Sequence, residues 1–359
     1  MTLSKHARRT LLYVSTFLAL VLSGLLFAQE QDSLVQRLIE QGLSDEEIYN
    51  IINSPGRMEE IERRIGEIDS LRDEVSDEEY QFDVDVNPAF LRPIDQIGGQ
   101  VIPDDFREQA RRQNERAAPI AEEWAESAEP RFACDPEAAA FDWRKFDIIT
   151  PIRDQGVCGS CWAFSAAASF EAHRALCNED DSLDLSEQQF LDCVPVSEGC
   201  NGGMPGYVYD YLQPNFAARE AQLPYSGLQS QCRAGNLTPT PDYVLTYGYV
   251  EQSGGIPEIE DMKAALCRYG PLSAAVKITN LFTAYSGGVF DEHASYSEAD
   301  VNHAIVIIGW DDERNAYLIK NSWGEKWGED GYMWIDYESN GIGFAAAWVI
   351  ATDRAAATE

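Results

Sequence analysis

The stretch Asp154 to Ser165, DQGVCGSCWAFS, constrains this chain more than any other. Its first part is turn-forming, with Gly156, Gly159 and Ser160. It then opens an Ala-rich run, Ala163 to Leu176, that favours helix. Cys161 stands at the junction. A cysteine at a helix start faces unpaired backbone N–H groups and the positive end of the helix dipole, and both favour thiolate over thiol. With a histidinium beside it, such a thiol titrates at about 3–4 instead of about 8.5. The thiolate is the nucleophile of covalent catalysis.

A thiolate of this kind needs a base, and the chain has 4 histidines to choose from. His6 lies in the signal-like N-terminus, before its apolar run. His173 is in the middle of the Cys161 helix, too far along to reach back, and is expected at the surface. His293 sits in a polar loop and is also expected at the surface. His303 begins an apolar strand, VNHAIVIIGW, and is the best candidate by position. A catalytic imidazole also needs a partner for its second nitrogen. Asn321, in KNSWGEKWG, ends the next strand, and a hairpin would bring it near His303. Trp323 is a core aromatic that could also shield the Asn–His hydrogen bond from water.

Around this site the chain divides by texture. Lys5, Arg8 and Arg9 precede an apolar run, Leu11 to Phe27, and the small residue Ala28, as in a secretory signal at 1–28. The run is long for such a signal, so an uncleaved N-terminal anchor is the other reading. Gln29 to Val75 reads as short helices: a capping box at Ser44 and Glu47, then Ile48, Ile51 and Ile52, and after Pro55 a helical recurrence of Met58, Ile61, Ile65, Ile68 and Leu71. These are too short and polar to hold a core and are expected to lie on another surface. Ser76 to about Arg131 is acidic, with scattered prolines, and reads as an extended or loosely helical connector. From about Phe132 to the end, Trp, Tyr, Gly and Cys become dense. Here a helical half, with a second helix at Ser186 to Asp192, precedes a half that alternates apolar and polar residues. Tyr243–Val250, Leu272–Ile278, Ala304–Trp310, Ala316–Asn321 and Tyr332–Tyr337 read as strands, and Asp261–Tyr269 as a helix. An α+β body of two lobes puts a cleft between them.

The net charge is −34. It excludes a nucleic-acid partner, which needs basic patches. It reads as a solvated surface suited to salty water, or as a field that steers cationic substrates. No His cluster is present, so no metal site is expected.

The sequence resembles the papain-like cysteine proteases, the cathepsin-type peptidases. The resemblance is carried by FDWR (Phe141 to Arg144), CGSCW (Cys158 to Trp162), GCNGG (Gly199 to Gly203), NHA (Asn302 to Ala304) and NSWGEKWGEDGY (Asn321 to Tyr332), in that order, over about 132–352. It implies a helical left lobe, a β-barrel-like right lobe and an active-site cleft between them. It implies Cys161 as nucleophile, His303 as general base and acid, Asn321 as its orienting partner, and Gln155, with the Cys161 N–H, as oxyanion donors. Losing one such donor typically costs about 2.7–4 kcal/mol. Gly202 and Gly203 would admit an extended substrate backbone, or simply serve a turn. By alignment, the pocket for the second residue before the scissile bond would use Met204, Pro205, Ala275, Val301 and Ala304, with Ala347 at its floor. Its apolar lining implies Leu, Val or Phe there over Arg.

The same resemblance suggests disulfides Cys158–Cys200 and Cys193–Cys232. No cysteine stands just before His303, so a third bridge common in the family is missing. Of the 8 cysteines, Cys134, Cys177 and Cys267 are then left beside Cys161. Cys134–Cys267 is favoured, since both flank the β half, and Cys177 would be a buried thiol. The resemblance implies no cofactor, a monomer, peptide or protein substrates, and an endopeptidase exported to a secreted, periplasmic or lysosome-like compartment. Residues 29–131 would be an inhibitory propeptide before a peptidase domain at 132–359, although the usual Glu-Arg-Phe-Asn helix signature is not found. Conversion would fall between about Glu123 and Asp142. Two rival readings are a silent binding protein on the same scaffold and a thiol acyltransferase or ligase. Asn236-Leu237-Thr238 is a glycosylation sequon.

Overall fold

A computed structural model describes residues 57–127, 131–177 and 183–353, together with 35, 36, 38, 39, 48 and 49. The signal or anchor and the Ser44–Glu47 capping box lie outside the described residues. The chain divides into two compact units, 1–67 and 68–359. Helix α1 (Arg57–Asp77) crosses that boundary. In its first-unit part Arg63 pairs with Glu60 and Glu67 across one turn. The second unit carries the candidate site.

The second unit is α+β. After α1 come a short strand β1 (Phe82–Val84), two single turns α2 (Pro88–Leu91) and α3 (Ile94–Ile97), and a long helix α4 (Phe106–Ser127). The body follows: β2 (Ala140–Asp142), α5 (Cys161–Cys177), α6 (Glu187–Cys193), α7 (Pro205–Leu212), β3 (Asp242–Tyr249), α8 (Ile259–Tyr269), β4 (Leu272–Val276), α9 (Asn280–Ala284), β5 (Tyr285–Phe290), β6 (His303–Asp311), β7 (Ala316–Lys320), β8 (Tyr332–Asp336) and β9 (Phe344–Asp353). The first lobe is built on α5, α6 and α7, and the second on the sheet. Strand order is β1-β5-β8-β7-β6-β4-β9-β3, with β2 added on β6. All neighbours are antiparallel except β5–β8.

The sheet runs from β1 to β3 as an open path. The barrel-like lobe expected from the sequence is therefore an open, twisted sheet, because its two end strands take other partners: β1 comes from the N-terminal segment, and the outer edge of β3 is covered by α4. Helix α5 packs against β4, β6 and β9. Its residues from Cys161 to Leu176 are buried almost without a break. That explains its composition: alanines let a helix approach a sheet closely while contributing high helix propensity. The Ser165 hydroxyl donates to Ile305 O at 2.7 Å, tying the two lobes at their seam.

Three readings need correction. The connector, where it is described at 76–127 and 131, is regular structure in large part, and α4 fills most of its second half. Its buried face, Phe106, Ala110, Gln113, Asn114, Ala117 and Ala121, has helical spacing, but two of its members are amides, so apolar periodicity does not reveal it. Ala, Glu, Gln and Arg formers outweigh the cost of Pro119 inside the helix. Second, no strand was expected after Tyr337, yet β9 is the longest in the sheet. An apolar run of this length fits a buried strand or a helix equally well, and pairing decides. Third, His173 is fully buried. Its Nδ1 lies 2.9 Å from Tyr269 O and its Nε2 3.4 Å from Cys177 Sγ. His293 is exposed.

The cysteines form three bridges, Cys134–Cys267, Cys158–Cys200 and Cys193–Cys232. Cys161 and Cys177 carry no bridge, and Cys177 is half-buried.

Candidate active site

Cys161 is the first residue of α5, where the turn through Gly159 and Ser160 delivers it to the lobe interface. From the sheet side, β6 begins at His303, and the next residue, Ala304, directs its N–H to Cys161 Sγ at 3.4 Å. So the start of a helix in one lobe and the start of a strand in the other meet at the sulfur. Both side chains are fully buried. His303 Nε2 lies 2.8 Å from Asn321 Oδ1. Asn321 follows β7, the antiparallel neighbour of β6, which is why the hairpin brings the two together. Asn321 Oδ1 also accepts the Ser322 N–H at 2.8 Å, which fixes the amide. The other ring nitrogen, His303 Nδ1, is buried without a hydrogen-bond partner. Trp323 lies over the imidazole, centroids 4.5 Å apart, and Phe282 and Trp327 pack on Trp323 in turn.

Gln155 is fully buried in the same place. Its Nε2 donates to Cys158 O at 2.8 Å and to Ile97 O at 2.9 Å. Its Oε1 accepts from the Ser322 hydroxyl at 2.7 Å. Ser322 thus holds the Gln155 amide with its donors toward the cleft. Sequence reasoning missed Ser322, although it adjoins Asn321 in the same motif. It also missed Phe282 and Trp327, for which only the aromatic density of the region gave a hint.

The cleft is filled by the chain itself. Residues 97–102 cross it as a strap. Gly203 N–H donates to Gly99 O at 2.9 Å, Val101 N–H donates to Gly203 O at 3.0 Å, and Gln100 pairs with Gly203 as a parallel bridge. Gly203 therefore does meet an extended backbone, that of the strap. A side chain on Gly99 would collide with Gly159, whose carbonyl oxygen lies 1.9 Å from the position a Cβ would take. Only glycine lets the strap lie so close to the Cys161 turn. Upstream, the strap is clamped by Arg92, whose buried guanidinium holds both Asp154 carboxylate oxygens at 2.8 and 2.9 Å.

Met204, Ala275, Val301 and Ala347 share one apolar cluster, and Ile102 of the strap packs against it; Phe106 belongs to it. Pro205 is buried as the first residue of α7. Ala304 lies under the sulfur, and Gly202 holds a positive φ of 135° before Gly203.

Burial pushes the Cys161 thiol up to about 12, outweighing the N–H groups of Ala304, Gly99 and Trp162 that favour its anion. Burial likewise pulls His303 down to about 4, outweighing its bond to Asn321. The helix start favours thiolate, and burial opposes it by disfavouring the charged form of both groups. Behind the site, Glu171 is raised to about 7 and Lys320 lowered to about 8, both by burial, with Thr150 hydrogen-bonded between them.

A family model described as papain family cysteine protease matches residues 137–352. The chain belongs to the papain family of cysteine proteases. Among curated proteins, this papain-family chain is 36% identical over 217 residues to a viral cathepsin of Heliothis zea nuclear polyhedrosis virus, covering 58% of this chain and 56% of that one. It is 33% identical over 218 residues to pro-cathepsin H of Mus musculus, covering 59% and 64%. The matched part thus spans less than two thirds of the length of these relatives. Among solved structures, a digestive procathepsin from the larval midgut of Tenebrio molitor superposes with a TM-score of 0.67 at 23% identity, covering 90% of this chain and 99% of that one. The bromelain protease from Ananas comosus superposes with 0.53 at 29% identity, covering 59% and 98%. The first likeness covers a larger share of the chain than the family match does.

Proposed function

We propose that this protein is a cysteine endopeptidase made as an inactive precursor, with Cys161, His303, Asn321 and Gln155 as its catalytic set. One observation carries the reading: the strand that begins at His303 meets the buried Cys161 sulfur through the Ala304 N–H, with Asn321 on His303 Nε2 and Gln155 buried in the same place. Once the strap leaves and a substrate carbonyl enters, the proton of Cys161 passes to His303 Nδ1. The sulfur attacks the carbonyl carbon, the C–N bond breaks, and His303 gives the proton to the departing amine. Water then cleaves the thioester, adding OH to the acyl carbon and returning H to the sulfur through His303. Gln155 Nε2, which now donates to Ile97 O, would meet the oxyanion instead.

We further propose an inhibitory segment from 29 to 131 and a peptidase domain from 132 to 359. The strap across the cleft supports the inhibitory role. A signal at 1–28 would export the chain; among the described residues no helix is long and apolar enough to cross a membrane. The apolar cluster that includes Met204, Ala275, Val301 and Ala347, against which Ile102 of the strap packs, supports an apolar residue at the second position before the scissile bond. A pocket of this kind separates similar side chains by about 1–3 kcal/mol, so the preference is broad.

The test is labelling of the activated enzyme by an epoxide thiol inhibitor, with peptide mapping, followed by a fluorogenic panel. Label on Cys161 and faster cleavage after Leu, Val or Phe at that position support the reading. No label after the strap is removed, or Arg preferred in the panel, overturns the catalytic set or the pocket respectively.

A further inference from the structure

We propose that helix α4 is a permanent part of the working enzyme, and that the cut which opens the cleft falls before it, in the exposed turn Pro103–Asp105. This rests on the reading of residues 97–102 as the inhibitory strap, and it moves the start of the active chain upstream of the boundary at 132.

Strap and helix differ in what they touch. The strap lies on Gly159, Gly203 and Gln155, at the catalytic groups. Helix α4 touches none of these and lies along the edge of the sheet. Asn114 there acts as a strand partner: its Nδ2 donates to Tyr249 O at 3.0 Å and its Oδ1 accepts the Tyr249 N–H at 2.7 Å. Gln113 Nε2 donates to Tyr247 O at 2.6 Å. These are outward backbone groups of β3, the last strand of the sheet path. Without α4 they would form an open edge, which folded proteins cover.

The body is also shaped for this helix. The Phe106 ring meets Tyr249 edge-on at 5.3 Å and Phe344 at 5.8 Å. A Cβ on Gly254, which holds φ at +74°, would lie 2.6 Å from that ring. A Cβ on Gly248 would lie 2.4 Å from Trp348 of the body and 2.7 Å from Asn114 Oδ1 of the helix. At the other end Trp124 lies against Tyr269 and His173. Helix α4 thus fills recesses in the peptidase core and covers the fully buried His173.

The chain on either side of α4 is unequal. Beyond it, Arg131 N–H donates to Leu176 O at 3.2 Å, Arg131 Nη1 donates to Ala175 O at 2.9 Å, and Cys134 is bridged to Cys267. Before it, Asp104 and Asp105 are exposed, between a strap bound only by its backbone and side-chain contacts and the anchored Phe106. Hydrolysis in this turn by another endopeptidase molecule breaks one peptide C–N bond. Water supplies OH to the new carboxyl end and H to the new amine. The strap then becomes a separate fragment free to dissociate, while α4 stays as the N-terminal arm of the active chain.

The experiment uses the full precursor, activated in solution and then labelled with an epoxide thiol inhibitor. The labelled chain is read by intact mass and N-terminal sequencing after gel filtration. The expected labelled chain begins within 103–106 and retains 106–127. Its Asn114→Ala variant still takes label but melts lower by roughly 2–6 °C. A labelled chain that begins beyond Ser127 and has lost the helix overturns the inference while leaving the catalytic reading intact. A cleaved chain that takes no label overturns the catalytic reading and this inference with it. An Asn114→Ala active form with an unchanged melting temperature also overturns it.

Discussion

Arg92→Ala should weaken latency without touching the catalytic groups. Arg92 belongs to the segment before the strap, and its side chain is 4% exposed. Asp154, its partner, is 41% exposed and belongs to the body. Hydrogen bonds between charged groups contribute about 1.5–3 kcal/mol. Because water reaches one side of this pair, the low end applies, about 2 kcal/mol. Removing the arginine leaves Asp154 able to rehydrate, so no buried charge is stranded. A loss of about 2 kcal/mol from the closed form alone raises the open population by roughly 30-fold, at 1.4 kcal/mol per factor of ten. The assay is the rate at which an epoxide thiol inhibitor labels Cys161 in the intact chain, read by mass before any cut occurs. That rate is proportional to the open fraction. Fully activated variant and parent, which have both lost Arg92, should label equally fast. An intact Arg92→Ala chain that labels no faster than the parent would refute the idea that this clamp holds the strap.

Other outcomes follow from the same geometry. Acid should favour opening: burial holds His303 at about 4 in the closed form against an ordinary value of about 6.5, so the open form binds the extra proton as pH falls between those values. The closed form is unpenalised above pH 6.5 and is disfavoured by up to about 3 kcal/mol near pH 4; labelling of the intact chain, divided by that of the activated enzyme, should rise across this window, and a flat ratio would contradict it. Ser322→Ala, which frees the Gln155 amide, should lower kcat by roughly 10-fold with KM little changed, and loss confined to KM would count against a positioning role. Replacing Cys134 and Cys267 together by serine should lower stability by about 2–4 kcal/mol, measured by urea unfolding of the intact chain, since this bridge closes a loop of 133 residues.

Much of the site was legible before any coordinates. Cys161, His303 and Asn321 could be picked out because each sits at an element boundary that local pattern marks: a turn before an Ala-rich run, the start of an apolar strand, the end of the next. Short-range chemistry sets such boundaries, so sequence carries them. The connector was misread for the opposite reason. Gln113 and Asn114 lie on the buried face of α4 because they satisfy backbone groups of β3, and nothing near them in sequence announces that strand. Likewise His173 reads as a polar residue on a helix until Tyr269, Trp124 and Cys177 are brought around it.

The amino-acid order alone pointed to the two-lobed class and to the cysteine, histidine and asparagine proposed here as nucleophile, base and orienting amide. Those are consequences of composition, spacing and turn chemistry. Only the tertiary structure decided how deeply Cys161 is buried. Its helix start favours thiolate, burial opposes the charge, and part of the surroundings is Gly99, remote in the chain. Local sequence cannot encode a dielectric, because the dielectric at an atom is made by whatever the rest of the fold packs around it.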